Sequence, residues 1–221
     1  KVKIFPLDSE HFSLFDCFNL NKIKKYKNIN KIFLTASGGP FLNLDLKRFK
    51  YVSFAQTINH PTWKMGYKNS IDSATMANKC LEIIEAKYLF DIPFEKIDII
   101  IHPQSLVHSI VENKNYTSYL NYFYNDMSIP IFNFLNQSSL KNINFVQNTK
   151  YNFKKNISLN FQAIDAKRFP IYKIFLSLDK SDPLNLIKFN CANEFSVDLF
   201  KNGMIKFDHI PKIIRKCLLI D

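Results

Sequence analysis

The sequence predicts an α/β chain: a larger α+β domain with a mixed sheet and flanking helices, followed by a small α-helical domain. Two observations carry this. Strand-like and helix-like segments alternate up to about residue 136, and from about residue 164 the pattern is helical throughout. A third sets the scale, because 221 residues at 47% apolar and 15% aromatic content can bury a real core and are not a disordered composition.

The elements follow in order. Val2–Pro6 reads as a buried strand running into Asp8-Ser9-Glu10-His11. Residues 31–34 read as a second strand, stopped by a turn at Ser37-Gly38-Gly39-Pro40. Residues 59–68 hold a Pro, a Gly and the only Trp, and read as a loop. Residues 73–90 give the clearest helix, with Asp72 or Ser73 as its cap and Ala77, Leu81, Ile84 and Tyr88 as a buried stripe. Residues 97–101 read as a strand. Residues 106–112 and 116–124 read as a hairpin around Asn113-Lys114-Asn115. Residues 137–163 form a polar linker, placing the larger domain at 1–136 and the helical one at 164–221, with helices at 170–178, 193–200 and 211–219.

The net charge of +11 points first to codon usage rather than to a partner. Only Arg48, Arg168 and Arg215 are arginines among thirty basic residues, and Lys, Asn, Ile and Phe dominate, the profile of an AT-rich genome. A phosphate-backbone reader favours clustered Arg, so neither a nucleic-acid partner nor a membrane is expected. No apolar run approaches the roughly 18 residues of a membrane span. The four cysteines are far apart and expected to be reduced, as in a cytosol-like compartment.

Three features suggest a site. Asp8 and Glu10, two apart in an extended segment, would converge, and a hard cation such as Mg²⁺ or Mn²⁺ would hold them together. At Ser37-Gly38-Gly39, two of only four glycines adjoin, and backbone N–H groups there can approach an anion. A helix opening at Ser73 would aim its positive end at a phosphate, with Asn78 and Lys79 as donors and Glu82 as a third carboxylate. Each signal alone is weak: an isolated D-x-E is usually a solvated strand end, a Gly pair an ordinary turn, and a polar helix face merely exposed. The lone Trp63 is by itself a packing anchor as readily as a lid, and His102 and His108 read as core or surface histidines.

The segments occur in one order: Leu-Asp-Ser-Glu-His (7–11), Ser-Gly-Gly-Pro-Phe (37–41), His-Pro-x-Trp-x-Met-Gly (60–66), Asp-Ser-Ala-Thr-Met-x-Asn-Lys (72–79), Leu-Glu-x-Ile-Glu-Ala (81–86), Ile-His-Pro-Gln-Ser (101–105), Asp-Met-x-x-Pro-Ile (126–131) and Ala-Asn-Glu (192–194). Together they resemble the 1-deoxy-D-xylulose 5-phosphate reductoisomerase family of the non-mevalonate isoprenoid pathway. The resemblance is strong over residues 1–136, patchy to 163 and moderate to about 207.

The resemblance implies an NADPH-dependent oxidoreductase that rearranges 1-deoxy-D-xylulose 5-phosphate and reduces the aldehyde to 2-C-methyl-D-erythritol 4-phosphate. It implies Asp8, Glu10 and Glu82 as ligands of Mg²⁺ or Mn²⁺, and Glu10, Lys79 and His60 as catalytic. Ser9, Glu10, Ser37, His60, Ser73, Asn78, Lys79 and Glu82 would contact substrate. Trp63 and Met65 would form a flap, and Gly66, Met65 and Met127 would face NADPH. It also implies a homodimer. Cys80 stands where the family usually has Gly, which puts the positioning of Lys79 in question.

No glycine-rich dinucleotide fingerprint occurs here, and the sequence opens on Lys1. The expectation is a piece of a longer enzyme whose NADPH domain lies upstream. A second expectation is a metal-dependent phosphosugar isomerase or aldolase without a redox step. A third, a basic aromatic nucleic-acid module, is disfavoured because a carboxylate triad repels phosphates. Bacterial cytoplasm and plastid are both open.

Overall fold

The structure is a computed structural model that describes residues 2, 4–23, 26–59, 65–137 and 157–220. The first helix, α1 (Ser9–Leu20), lies where the sequence suggested extended chain. The Asp8 carboxylate accepts from the N–H groups of Glu10 and His11, so it caps the helix and starts it. The described residues before it form no strand, and Ile4 is exposed.

Strand β1 (Ile29–Ala36) is central. It pairs in parallel with β2 (Ile97–Ile101) and antiparallel with β3 (Val107–Asn113), and β3 pairs antiparallel with β4 (Ser118–Tyr122). The order β2-β1-β3-β4 is a mixed sheet, as expected, with the hairpin at residues 113–117. Ile32, Leu34 and Ala36 alternate along β1 and are buried. On the other side of the strand Thr35 is also buried, and its hydroxyl donates to the Val107 carbonyl at 2.6 Å.

After β1 come the short α2 (Phe54–Thr57), α3 (Tyr67–Thr75) and α4 (Ala77–Phe90). The single helix expected over 73–90 is therefore two helices. Met76 takes a left-handed conformation at φ +69° and breaks them apart, with its side chain fully buried. Tertiary packing of that side chain overrides helix propensity. It also moves the positive helix end from Ser73, now in the last turn of α3, to Ala77. Asp72 is a buried residue of α3 rather than a cap. The buried face of α4 is Ala77, Cys80, Ile83 and Ala86, whereas Tyr88 is exposed. Cys80 points into the core and lines no part of the cavity beside α4.

Helix α5 (Ser128–Gln137) follows the hairpin, and α6 (Pro170–Leu176), α7 (Pro183–Lys201) and α8 (Ile210–Cys217) are the further α-helices among the described residues. The segment expected as a helix at 193–200 is the second half of the longer α7. Proline in the first turn of α6, α7 and α8 fits, because the missing N–H has no helical partner there. Phe169, Phe175 and Phe189 join the same core as Leu34, Ile71 and Met76. The Arg168 guanidinium donates to the carbonyls of Phe41 at 2.8 Å and Leu44 at 2.6 Å, pinning the chain that follows the Gly38-Gly39 turn. All four cysteines are free thiols. No helix among the described residues is long and apolar enough to cross a membrane.

The Gly38-Gly39 turn is fixed against α3. Gly39 has φ +65°, and a Cβ there would lie 2.8 Å from the Ser73 carbonyl oxygen and 3.0 Å from the Ala74 Cα. Gly39→Ala is therefore expected to cost about 1–3 kcal/mol of stability, from left-handed strain plus a clash with rigid backbone. Urea denaturation measures this, and a loss below about 0.5 kcal/mol contradicts a closely packed turn.

Candidate functional site

A cavity of about 360 Å³ opens at the C-terminal end of β1. Two helices bring carboxylates to it: α1 through its cap (Asp8) and first turn (Glu10), and α4 through its second turn (Glu82). One oxygen from each lies within 4.8 Å of the others. The convergence expected from strand alternation is thus made by a helix start, where the cap and the first-turn residue face the same way. A set of three hard oxygen donors within that spacing suits Mg²⁺ or Mn²⁺.

Glu82 is buried, and burial followed by the nearby Glu10 charge pushes its carboxyl well above the usual range. Lys79 opposes this. Its ammonium donates to both Glu82 oxygens, at 2.9 and 2.7 Å, and also to Glu10. Burial of Lys79 works to lower its pKa, but the Glu10 and Glu82 charges outweigh burial and raise it, so the side chain stays charged. Asn78, the neighbouring donor, also hydrogen-bonds to Glu82. The i,i+3 and i,i+4 spacing on α4 places both donors over Glu82.

His11 backs the cluster from the protein side. Its Nδ1 lies 3.2 Å from Asp8 Oδ1 and 3.4 Å from Glu85 Oε2, and its Nε2 lies 3.0 Å from the Glu82 carbonyl. Burial works to lower its pKa, but the Asp8 hydrogen bond and charge prevail and push it up to about 9. The reciprocal effect at Asp8 is opposed by burial and driven by His11, and its carboxyl falls to about 2.

More of the wall comes from Ser37 and Gly38 after β1, Asn69 and Ser73 on α3, and Met65, Gly66 and Met127, of which Gly66 and Met127 are exposed. Ser9 also lines it, and its hydroxyl donates to Glu10. The structure therefore gathers Asp8, Ser9, Glu10, Ser37, Met65, Gly66, Ser73, Asn78, Lys79, Glu82 and Met127 around one cavity. His60 and Trp63 lie outside the described residues. Four polar residues that the sequence does not mark as site residues are also here: Thr35, Asn69, Ser105 and His108. His108 is a core histidine, stacked on Phe123 at 3.9 Å, that nevertheless reaches the cavity wall, and burial lowers its pKa. Only the antiparallel pairing of β1 with β3 brings its strand beside Ser37, so no local signal could have found it. His11 belongs to the Leu-Asp-Ser-Glu-His motif, but its role as a brace depends on a helix that the sequence pattern does not predict.

Comparison with known proteins points to one family. Residues 4–90 match the model of the 1-deoxy-D-xylulose 5-phosphate reductoisomerase C-terminal domain, and residues 124–220 match that of the DXP reductoisomerase C-terminal domain. The chain is 40% identical over 218 residues to the 1-deoxy-D-xylulose 5-phosphate reductoisomerase of Clostridium kluyveri, covering 99% of this chain and 55% of that protein. It is 42% identical over 219 residues to that of Pelagibacter ubique, covering 98% and 54%. The chain thus spans about half the length of these curated relatives. A crystal structure of DOX-P reductoisomerase in complex with NADPH, fosmidomycin and magnesium superposes with a TM-score of 0.87 at 35% identity, covering 98% of this chain and 54% of that one. The Zymomonas mobilis enzyme in complex with NADPH gives 0.82 at 37% identity, covering 96% and 53%.

The His11 pairing has a pH signature in chelator-treated protein. A folded pKa near 9, above the unfolded 6.5, gives stability that is fully present below about pH 6.5 and lost as pH rises through 9. The loss is expected to be about 2 kcal/mol after allowing for its partly exposed acidic partners, and His11→Gln should flatten it. Chemical denaturation from pH 6 to 9.5 checks this; equal slopes in both proteins would exclude the pairing.

Proposed function

This chain belongs to the 1-deoxy-D-xylulose 5-phosphate reductoisomerase family, and from that premise we propose that it supplies the metal- and phosphosugar-binding half of the enzyme. The observation that carries the reading is the Asp8, Glu10 and Glu82 triad, set within one cavity beside the donors Asn78 and Lys79. The reaction proposed is the NADPH-dependent conversion of 1-deoxy-D-xylulose 5-phosphate to 2-C-methyl-D-erythritol 4-phosphate. The boundaries at 1–136, 137–163 and 164–221 are proposed as the domain division.

Asp8, Glu10 and Glu82 would hold Mg²⁺ or Mn²⁺. When bound, that ion supplies Lewis-acid polarisation of the sugar's neighbouring oxygens. Ser37, Ser73, Asn78 and Lys79 would hold the phosphate, a remote handle whose binding energy orients the reacting carbons. Ser9, Glu10 and Lys79 line the same cavity and would contact the reacting carbons, and His60 would also contact the substrate. Met65, with Trp63, would close over the substrate and exclude water. Gly66, Met65 and Met127 line the cavity, Gly66 and Met127 with exposed surface, and the nicotinamide of NADPH would meet this chain there. A redox-free isomerase or aldolase is less well supported, since relatives are solved with NADPH.

The homodimer is proposed to form through β4. It is one of the two edge strands of the described sheet, and Tyr116, Tyr119 and Leu120 beside or on it are exposed. Sedimentation should give a dimer, and Leu120→Lys a monomer; a monomeric starting protein excludes this interface.

The metal reading is tested directly. Mn²⁺ is expected to bind the purified chain, as read by loss of the free-ion EPR signal. Asp8→Asn and Glu82→Gln should each weaken binding at least about tenfold. Undiminished binding in both variants places the ion elsewhere. Purified residues 1–221 are expected to bind the metal without oxidising NADPH in the presence of substrate, and measurable oxidation would contradict the proposed division of labour.

A further inference from the structure

We propose that Lys79, with Asn78, couples the two halves of the site, so that a divalent cation and a phosphate-bearing ligand bind with positive cooperativity. The coupling rests on the metal site proposed for Asp8, Glu10 and Glu82 and goes beyond it.

The geometry is specific. Lys79 and Asn78 are the ammonium and amide donors proposed above for the phosphate, and both donate to Glu82. Lys79 takes both Glu82 oxygens and one of Glu10. Those are the oxygens a divalent ion would use. The ammonium and the metal therefore compete for the same ligand atoms. With the ammonium in place, an arriving ion meets occupied ligands and a like charge within bonding distance.

Lys79 has somewhere to go. Its four-carbon stem is flexible, and Ser37 and Ser73 line the same cavity. An anion there offers the ammonium a second partner. Moving to it vacates Glu10 and Glu82 for the metal, and metal capture of Glu82 in turn releases Asn78 and Lys79 to the anion. Each ligand thus frees the groups the other needs, so by linkage each tightens the other by the same factor.

The test is a Mn²⁺ titration of the chain followed by EPR, with inorganic phosphate as the probe and potassium chloride matching ionic strength. Phosphate is expected to tighten Mn²⁺ binding about fivefold or more in the parent protein. Lys79→Met should bind Mn²⁺ more tightly than the parent without phosphate, and should lose most of the phosphate effect. Lys79→Gln serves the same purpose should the Met variant unfold, and the parent measurement stands independently of both. A phosphate effect within twofold of unity, or a weakening, overturns the coupling. An equal tightening in parent and variant also overturns it, because phosphate would then be joining the metal directly without Lys79. Absence of Mn²⁺ binding in the parent removes the metal reading itself and the coupling with it, whereas intact Mn²⁺ binding without the Lys79-dependent effect removes the coupling alone.

Discussion

Glu82 is a carboxylate buried beside two others, and that arrangement is stable only with compensating positive charge. Isolated, such a cluster would protonate or unfold the site. The compensation comes from Lys79 on one side and His11 on the other. Both depend on helix starts. Asp8 caps α1 and so brings Glu10 and His11 into a first turn, and the left-handed Met76 starts α4 where Asn78, Lys79 and Glu82 share a face. Moving either start by one residue would turn the charged groups by about 100°.

The remaining architecture holds those starts in register. Met76 is buried among core residues that include Leu34 from β1 and Phe169 before α6. Gly39 lies against the backbone of Ser73 and Ala74, which fixes the distance between the β1 turn and α3. Asp72, one residue away, is buried against α7, where Asn193 donates to it at 2.9 Å, and Lys68 pairs with it at 2.6 Å. The helical C-terminal part is therefore not a separate appendage among the described residues. It supports the helix that carries Ser73.

The family's usual glycine, replaced by Cys80, has little consequence for the cavity. The thiol points into the core and is raised in pKa by burial, so it is an inert packing group. The same burial places Lys79, one residue earlier, about 100° around the helix, facing Glu10. A residue that looks close to the site along the chain is turned away from it in space.

The chemical inventory was legible in the sequence because the motifs are local. The D-S-E, S-G-G and S-A-T-M-x-N-K segments supplied Asp8, Ser9, Glu10, Ser37, Ser73, Asn78 and Lys79, all of which line the cavity, and the strand and hairpin positions from residue 29 on followed from apolar patterning. What the sequence could not decide was conformation where local signals compete with packing. An apolar N-terminal stretch predicts a strand leading into extended chain, whereas the Asp8 cap turns residues 9–20 into a helix. A continuous helical period hid the break at Met76, because its cause is a buried side chain and not a glycine or proline. His108 entered the cavity wall only through the pairing of β1 with β3. Residue chemistry is a property of the chain alone, but which oxygens face one another, and which cation lies between them, is set by contacts some seventy residues apart, as between Glu10 and Lys79.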